Sequence, residues 1–378
     1  MTYRLSAAFL WGLFFSACSL AQSATSAAPV PWSAPASVSV VEEEKTFENG
    51  SSKLSGTLYL ARGRKPQSAI VVTHAAGSPL RDFPLYQHLK QMLPALGIAV
   101  FIYDRRGSGK SGGDLQTSDY ALLADDAIAA VRMLKTDTRI DARRVGIWGL
   151  SQGGWLALLA ASRSSEVAFA IAVSAPVVSP DVQMMFRSIN SLRVHGYPQA
   201  DIDQMIATRK AVDDYMRGSG DRATAQRLVD AAKTKPWFKL LYMGETVSDR
   251  ATSRWRKEIE FDPLRTIDGV KVPALVMYGA LDPVVPVAVS VERLRTAHPK
   301  LDLVVIAGAD HAMQVSVPPE VQMDPDRIRD EAPQAAEYFA VLASWLTRQT
   351  IAKPVESADV AARTSIYTSF HLGALSAR

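Results

Sequence analysis

The sequence predicts an α/β fold: a mostly parallel central sheet flanked by helices, with a helical cap inserted late in the chain. Three observations predict it. Short, uninterrupted apolar runs rich in β-branched residues recur at 69–73, 98–103, 145–148, 168–174, 274–278 and 301–306, as strands buried on both faces do. Helical spacing of apolar residues appears between several of them, at 86–96, 122–134 and 155–161. That alternation is what a parallel sheet with crossover helices imposes. One interval, 178–265, breaks the alternation with no strand pattern.

Residues 1–21 read as an export signal. Arg4 supplies the positive start, Leu5 to Leu20 form an apolar stretch, and small residues around Ser19-Leu20-Ala21 offer a cut before Gln22. The stretch is short and Ser/Ala-broken for a permanent spanning helix. Phe15-Ser16-Ala17-Cys18 is similar to a bacterial lipobox, with Phe15 where such boxes usually carry Leu. Two routes therefore stay open: soluble export to the periplasm or medium, and membrane attachment through a lipidated Cys18. Cys18 is the one cysteine in the sequence, so neither an intrachain disulfide nor a four-thiolate metal site can form. Cutting after Ala21 leaves a cysteine-free chain suited to an oxidising compartment.

Residues 22–37, rich in Ala, Ser and Pro, read as a flexible leader. Alternating residues from Val38 and again from Leu54, with Asn49-Gly50 as turn chemistry, predict an N-terminal hairpin. The core then comprises 38–177 and 266–349, and the cap comprises 178–265. Met184, Met185, Phe186, Met205, Trp237, Phe238, Leu240, Leu241, Tyr242 and Met243 lie in the cap, where such residues form its own core more often than a substrate box. Residues 350–378 are small and polar and read as a tail.

With 48% hydrophobic and 21% charged residues, the chain has the balance of a globular protein with a large core, which excludes a disordered or fibrous class. The formal charge of +4, spread over 378 residues, leaves no footprint for a nucleic-acid partner.

The strongest chemical signal is Gly149-Leu150-Ser151-Gln152-Gly153-Gly154, which directly follows an apolar run and leads into a helical pattern. A sharp strand-to-helix turn strains the serine backbone, so small residues must flank it two positions away, and Gly149 and Gly153 do. Gly109-Lys110-Ser111-Gly112-Gly113 matches the same pattern but lies beyond the strand ending at Tyr103, with no helix starting at Ser111. Ser151 is therefore the candidate nucleophile. A serine needs a positioned base. Of His74, His88, His195, His298, His311 and His371, His311 stands on the loop after a strand, where catalytic groups gather in open parallel sheets. Asp282, also just past a strand, is the candidate to orient it. Asp302 begins a strand and Asp310 adjoins the histidine, so both fit less well.

These marks, with Thr73-His74-Ala75-Ala76-Gly77-Ser78, Tyr103-Asp104-Arg105-Arg106-Gly107-Ser108-Gly109-Lys110-Ser111 and Asp282-Pro283-Val284-Val285-Pro286, resemble those of α/β-hydrolase-fold serine esterases, in their bacterial esterase and acyl-peptidase-like branch. The resemblance covers roughly 40–348 and includes the chain order Ser, Asp, His. It implies an oxyanion hole from the backbone N–H groups of Gln152 and Ala76. The family usually carries His-Gly where this chain has His74-Ala75. His74 itself reads as structural.

Gly109-Lys110-Ser111 matches only the end of a phosphate-binding loop, whose first glycine would fall at Asp104. Asp125 and Asp126 are adjacent on a helix and face different directions. No metal or cofactor site is predicted. The expected function is an exported serine hydrolase of carboxylic esters, acting on a small acyl ester. The sequence offers no recognisable acidic anchor for a peptide amino terminus. The alternatives are a serine exopeptidase or amidase on the same fold and a non-catalytic hydrolase-like binding protein.

Overall fold

The computed structural model describes residues 38–63, 66–315, 317–324 and 333–347. The export signal, the leader and the tail expected from the sequence lie outside them.

The chain begins with β1 (Val40–Asn49) and β2 (Ser52–Ala61), an antiparallel hairpin registered from Val40 against Ala61 to Asn49 against Ser52. Gly50 takes φ +61° in the two-residue turn, a left-handed conformation that glycine adopts without strain. Then follow β3 (Gln67–Thr73), α1 (Gln87–Met92), β4 (Ile98–Tyr103), α2 (Tyr120–Lys135), β5 (Ile140–Leu150), α3 (Gln152–Arg163) and β6 (Ala170–Val173). The helices α4 (Pro180–Val194), α5 (Gln199–Arg217), α6 (Arg222–Ala232) and α7 (Arg254–Glu258) of the inserted segment come next, followed by α8 (Pro263–Asp268), whose Ile267 joins the core layer of α3. The chain continues through β7 (Ala274–Gly279), α9 (Val287–Ala297), β8 (Asp302–Ile306), α10 (Pro319–Gln322) and α11 (Ala336–Leu346).

The eight strands form one sheet in the order β1-β2-β4-β3-β5-β6-β7-β8. It is parallel from β4 to β8 and antiparallel at β1, β2 and the β2–β4 pairing. Strand alternation assigns side chains to two apolar layers. Ala69 and Val71 of β3 join the layer shared with α2, α3 and α9, whereas Ile70 and Val72 join that of α1 and α11. Both layers are buried, and each buried Val, Leu or Ile contributes about 1.5–3 kcal/mol relative to exposure.

From β3 the chain crosses first to β4 on one side and then to β5 on the other. The carboxyl ends of β3 and β5 therefore flank a topological switch point, where open α/β sheets place their ligands.

Some boundaries differ from the sequence expectation. The segment 86–96 is not one helix: α1 has six residues, and 3₁₀ turns flank it at Pro84–Tyr86 and Leu93–Leu96. Pro94 lacks the N–H that an α-helix would need there. Met205, Trp237, Phe238, Leu240 and Leu241 do form a separate apolar core within the cap. Among the described residues no helix is long and apolar enough to cross a membrane.

Candidate active site

Ser151 sits between β5 and α3 with φ 57° and ψ −120°. A non-glycine residue in such a region costs about 1–3 kcal/mol and persists only when its surroundings over-determine it. Here they do. A Cβ on Gly149 would overlap Gly153 O and Thr73 Oγ1, and one on Gly153 would overlap Thr73 O. Thr73 Oγ1, at the end of β3, donates to Gly153 O at 2.7 Å, and Ser151 N–H donates to Val173 O of β6 at 2.7 Å. The turn is thus clamped from both neighbouring strands. Gln152 opens α3, so its N–H belongs to the first turn, where donors lack intrahelical acceptors and the helix dipole is positive.

Asp282 lies just past β7 and His311 on the loop after β8; both are buried. Asp282 Oδ2 is 2.7 Å from His311 Nδ1, while Oδ1 accepts the N–H groups of Val284 and Val285 at 2.7 and 3.0 Å. One carboxylate oxygen is fixed by backbone and the other meets the imidazole. Ser151, Asp282 and His311 therefore all stand at the carboxyl edge of one sheet. In this geometry Ser151 Oγ makes no hydrogen bond to His311; such contacts often tighten only when substrate is bound.

The rival groups are engaged elsewhere. Asp310 Oδ1 accepts from Ala312 N and Gln314 N and shapes the loop that carries His311. Asp302 accepts from Trp345 Nε1. His74 Nε2 lies 2.6 Å from Tyr103 O, and burial pushes its pKa down to about 3, so it is neutral. His88, similarly buried and lowered to about 3, contacts Tyr338 Oη. His195 caps a cap helix through Ser191 O, His298 lies beside Asp268, and His371 is outside the described residues. Asp125 pairs with Arg163 on the surface, whereas Asp126 is buried against Arg106.

The loop after β3 is held by a residue whose role the sequence did not reveal. Arg105, 1% exposed, donates from Nη2 to His74 O and Ala75 O at 2.8 Å each and from Nη1 to Ala76 O at 3.2 Å. Ala75 N–H is taken by Tyr86 Oη, and Ser78 N–H by Ala75 O. With three consecutive carbonyls drawn toward one guanidinium and these N–H groups committed, Ala76 faces a cavity that Ser151 and Gln152 also line.

That cavity, about 400 Å³, is roofed by the cap. Met184, Tyr242 and Met243 line it, so the apolar cap residues divide between the cap's own core and the cavity. Its charged lining departs from the sequence reading, which found no acidic anchor: Asp213 of α5 and Glu258 of α7 both reach it, with Arg209 and Arg254. On amphipathic helices these residues read as solvent-facing. Burial pushes the Asp213 carboxyl up to about 6, opposed by Arg209 and by the hydrogen bond from Trp255 Nε1 at 2.8 Å. Burial likewise raises Glu258, against Arg254, whose Nε lies 2.6 Å from Glu258 Oε1. A second and larger cleft, about 520 Å³, opens at the amino ends of β7 and β8 beside His298 and Lys300. It is lined by no serine and lies at the edge of the sheet opposite Ser151.

The family model described as serine aminopeptidase, S33, matches residues 64–315. Thiohydrolase apmlB of Arthrinium phaeospermum is 37% identical over 127 residues, which are 33% of this chain and 40% of that protein. The quorum-quenching protein AidA of Acinetobacter baumannii is 24% identical over 242 residues, 64% of this chain and 78% of AidA. The chain spans about two fifths of the length of the first curated relatives it matches. Among solved structures, a hypothetical protein of Pseudomonas aeruginosa aligns with TM-score 0.52 and 18% identity over 84% of this chain and 97% of its own. An esterase of Pyrococcus furiosus aligns with TM-score 0.52 and 18% identity over 82% and 91%. At such identity the likeness is one of fold.

Proposed function

The chain belongs to the serine aminopeptidase S33 family of α/β-hydrolases, and from that premise we propose that it hydrolyses carboxylic esters through an acyl-enzyme on Ser151. His311 Nε2 takes the Ser151 proton as Oγ attacks the ester carbonyl. Asp282 keeps the other imidazole proton on Nδ1 and stabilises the imidazolium. The N–H groups of Gln152 and Ala76 receive the developing oxyanion, a stabilisation made stronger by its desolvated setting. Collapse of the tetrahedral intermediate expels the alcohol, protonated by His311. Water, activated by the same imidazole, then releases the acid.

The observation that carries this reading is the 2.7 Å Asp282–His311 pair at the same sheet edge as the strained Ser151 turn. One observation favours a second reading: the matching family model is described as a serine aminopeptidase, which suits aminoacyl amides. Export is proposed from the pattern of residues 1–21 alone.

The test is hydrolysis of a p-nitrophenyl ester series and an aminoacyl-anilide panel by wild type and Ser151→Ala. Ester turnover that vanishes in the variant is the expected outcome. Anilide turnover exceeding ester turnover would establish the second reading. A Ser151→Ala protein as active as wild type would overturn both.

A further inference from the structure

The cavity above Ser151 contains a guanidinium that acyl transfer does not use. Arg209, 4% exposed on α5, lines it together with Ser151. Its Nη2 donates to Leu241 O at 2.7 Å, its Nε has no acceptor, and among the described residues no carboxylate lies within ion-pair reach of it. A buried charge lacking a direct counter-ion is expensive, by several kcal/mol after relaxation. Arginine cannot relieve that penalty by losing its proton.

The neighbouring charges are already occupied. Arg254 and Glu258 pair with each other. Asp213, one turn along α5 from Arg209, holds the Trp255 indole, and Asp181 of α4 pairs with Arg217 at 3.0 Å. These two carboxylates attract Arg209 only at a distance. Asp213 spends its hydrogen bond on the indole and not on the guanidinium, so Arg209 keeps donor capacity that a substrate carboxylate would fill.

We infer that the cavity selects acyl groups carrying a second, anionic end, so that the substrate is a half-ester of a dicarboxylic acid whose free carboxylate pairs with Arg209. The inference rests on the proposed ester hydrolysis. The reaction balances as half-ester plus water giving the diacid and the alcohol, with no other reactant. The acyl chain lies along the cavity between Ser151 and α5. Its preferred length is the one that brings the ester carbonyl to Ser151 while the carboxylate meets the guanidinium.

The experiment measures kcat/KM by pH-stat for the monoethyl esters of glutaric, adipic and pimelic acids against neutral ethyl esters of matched chain length. It uses wild type, Arg209→Met and Arg209→Lys. Wild type is expected to prefer one half-ester over its neutral counterpart by about 10- to 100-fold, the range of a charge-assisted hydrogen bond in a desolvated site. In Arg209→Met that ratio should fall toward one, and in Arg209→Lys to an intermediate value. Should the variants fail to fold by circular dichroism, wild type decides: the free diacid of preferred length should inhibit neutral-ester turnover competitively, and the matching diol should not. Neutral esters turned over with no half-ester preference and no diacid inhibition would overturn the inference and leave the esterase reading standing. Turnover of neither class would remove the esterase reading itself.

Discussion

Replacing Asp282 by Asn is nearly isosteric, and the surrounding backbone dictates how the new amide must lie. Oδ1 of Asp282 accepts two N–H groups, from Val284 and Val285. The Asn carbonyl has to occupy that position, because its NH₂ there would face two donors and leave each unsatisfied at about 1–3 kcal/mol. The NH₂ is then forced toward His311 Nδ1, 2.7 Å from the present Oδ2. An amide NH₂ only donates, so Nδ1 must carry the lone pair and the imidazole proton moves to Nε2. An Nε2–H cannot take a proton from Ser151. In the serine-protease template the same substitution drops kcat by about 10⁴, equivalent to about 5.4 kcal/mol at 1.36 kcal/mol per decade. The folded state should lose much less, about 2 kcal/mol, as two charge-assisted bonds become neutral ones. The assay pairs kcat on p-nitrophenyl butyrate with thermal unfolding by circular dichroism. A ¹⁵N measurement of the His311 tautomer adds a direct check. A folded Asp282→Asn protein within about tenfold of wild type would refute the assignment of His311 as the base held by Asp282.

Two further outcomes follow from the same geometry. Arg105→Met releases the carbonyls of His74, Ala75 and Ala76, so kcat on p-nitrophenyl butyrate should fall by about 10²–10³, the effect of losing one oxyanion donor. KM should change little, and Arg105→Lys should not restore the rate because an ammonium cannot reproduce the planar fork; unchanged kcat in Arg105→Met would exclude a positioning role. Gly149→Ala drives a Cβ into the backbone of Gly153 and should destabilise the fold by about 3 kcal/mol, read by urea denaturation; a variant as stable as wild type would show that the turn is looser than described.

The elements legible in the sequence are those whose signal is local. Strands β3, β4 and β7 are short apolar runs buried on both faces. The Ser151 turn needs glycines at fixed offsets within six residues. Asp282 and His311 each follow an apolar run directly. What escaped depends on chain segments that meet only after folding. Arg105 gains its role because β3 and β4 lie side by side, which brings carbonyls about thirty positions upstream onto its guanidinium. Arg209, Asp213 and Glu258 belong to helices whose charged residues suggest a solvated face, and only the stacking of the cap over β5 encloses them. The helix α11 buries Tyr338, Phe339, Leu342 and Leu346 on one side, at a spacing that is helical in the sequence as well.

Core and cap both hold the reacting groups: Thr73 and Val173 clamp the Ser151 turn, Val284 and Val285 fix Asp282, and Arg105 grips three carbonyls of the loop after β3, while Gln183 and Asn190 of α4 donate to the carbonyls of Val284 and Pro283 beside Asp282. The cap thus steadies the loop after β7 through two backbone carbonyls as well as covering the cavity. The charges facing the substrate come from side chains on α5 and α7. The proposed pairing with Arg209 predicts that a change there alters which acyl groups are accepted.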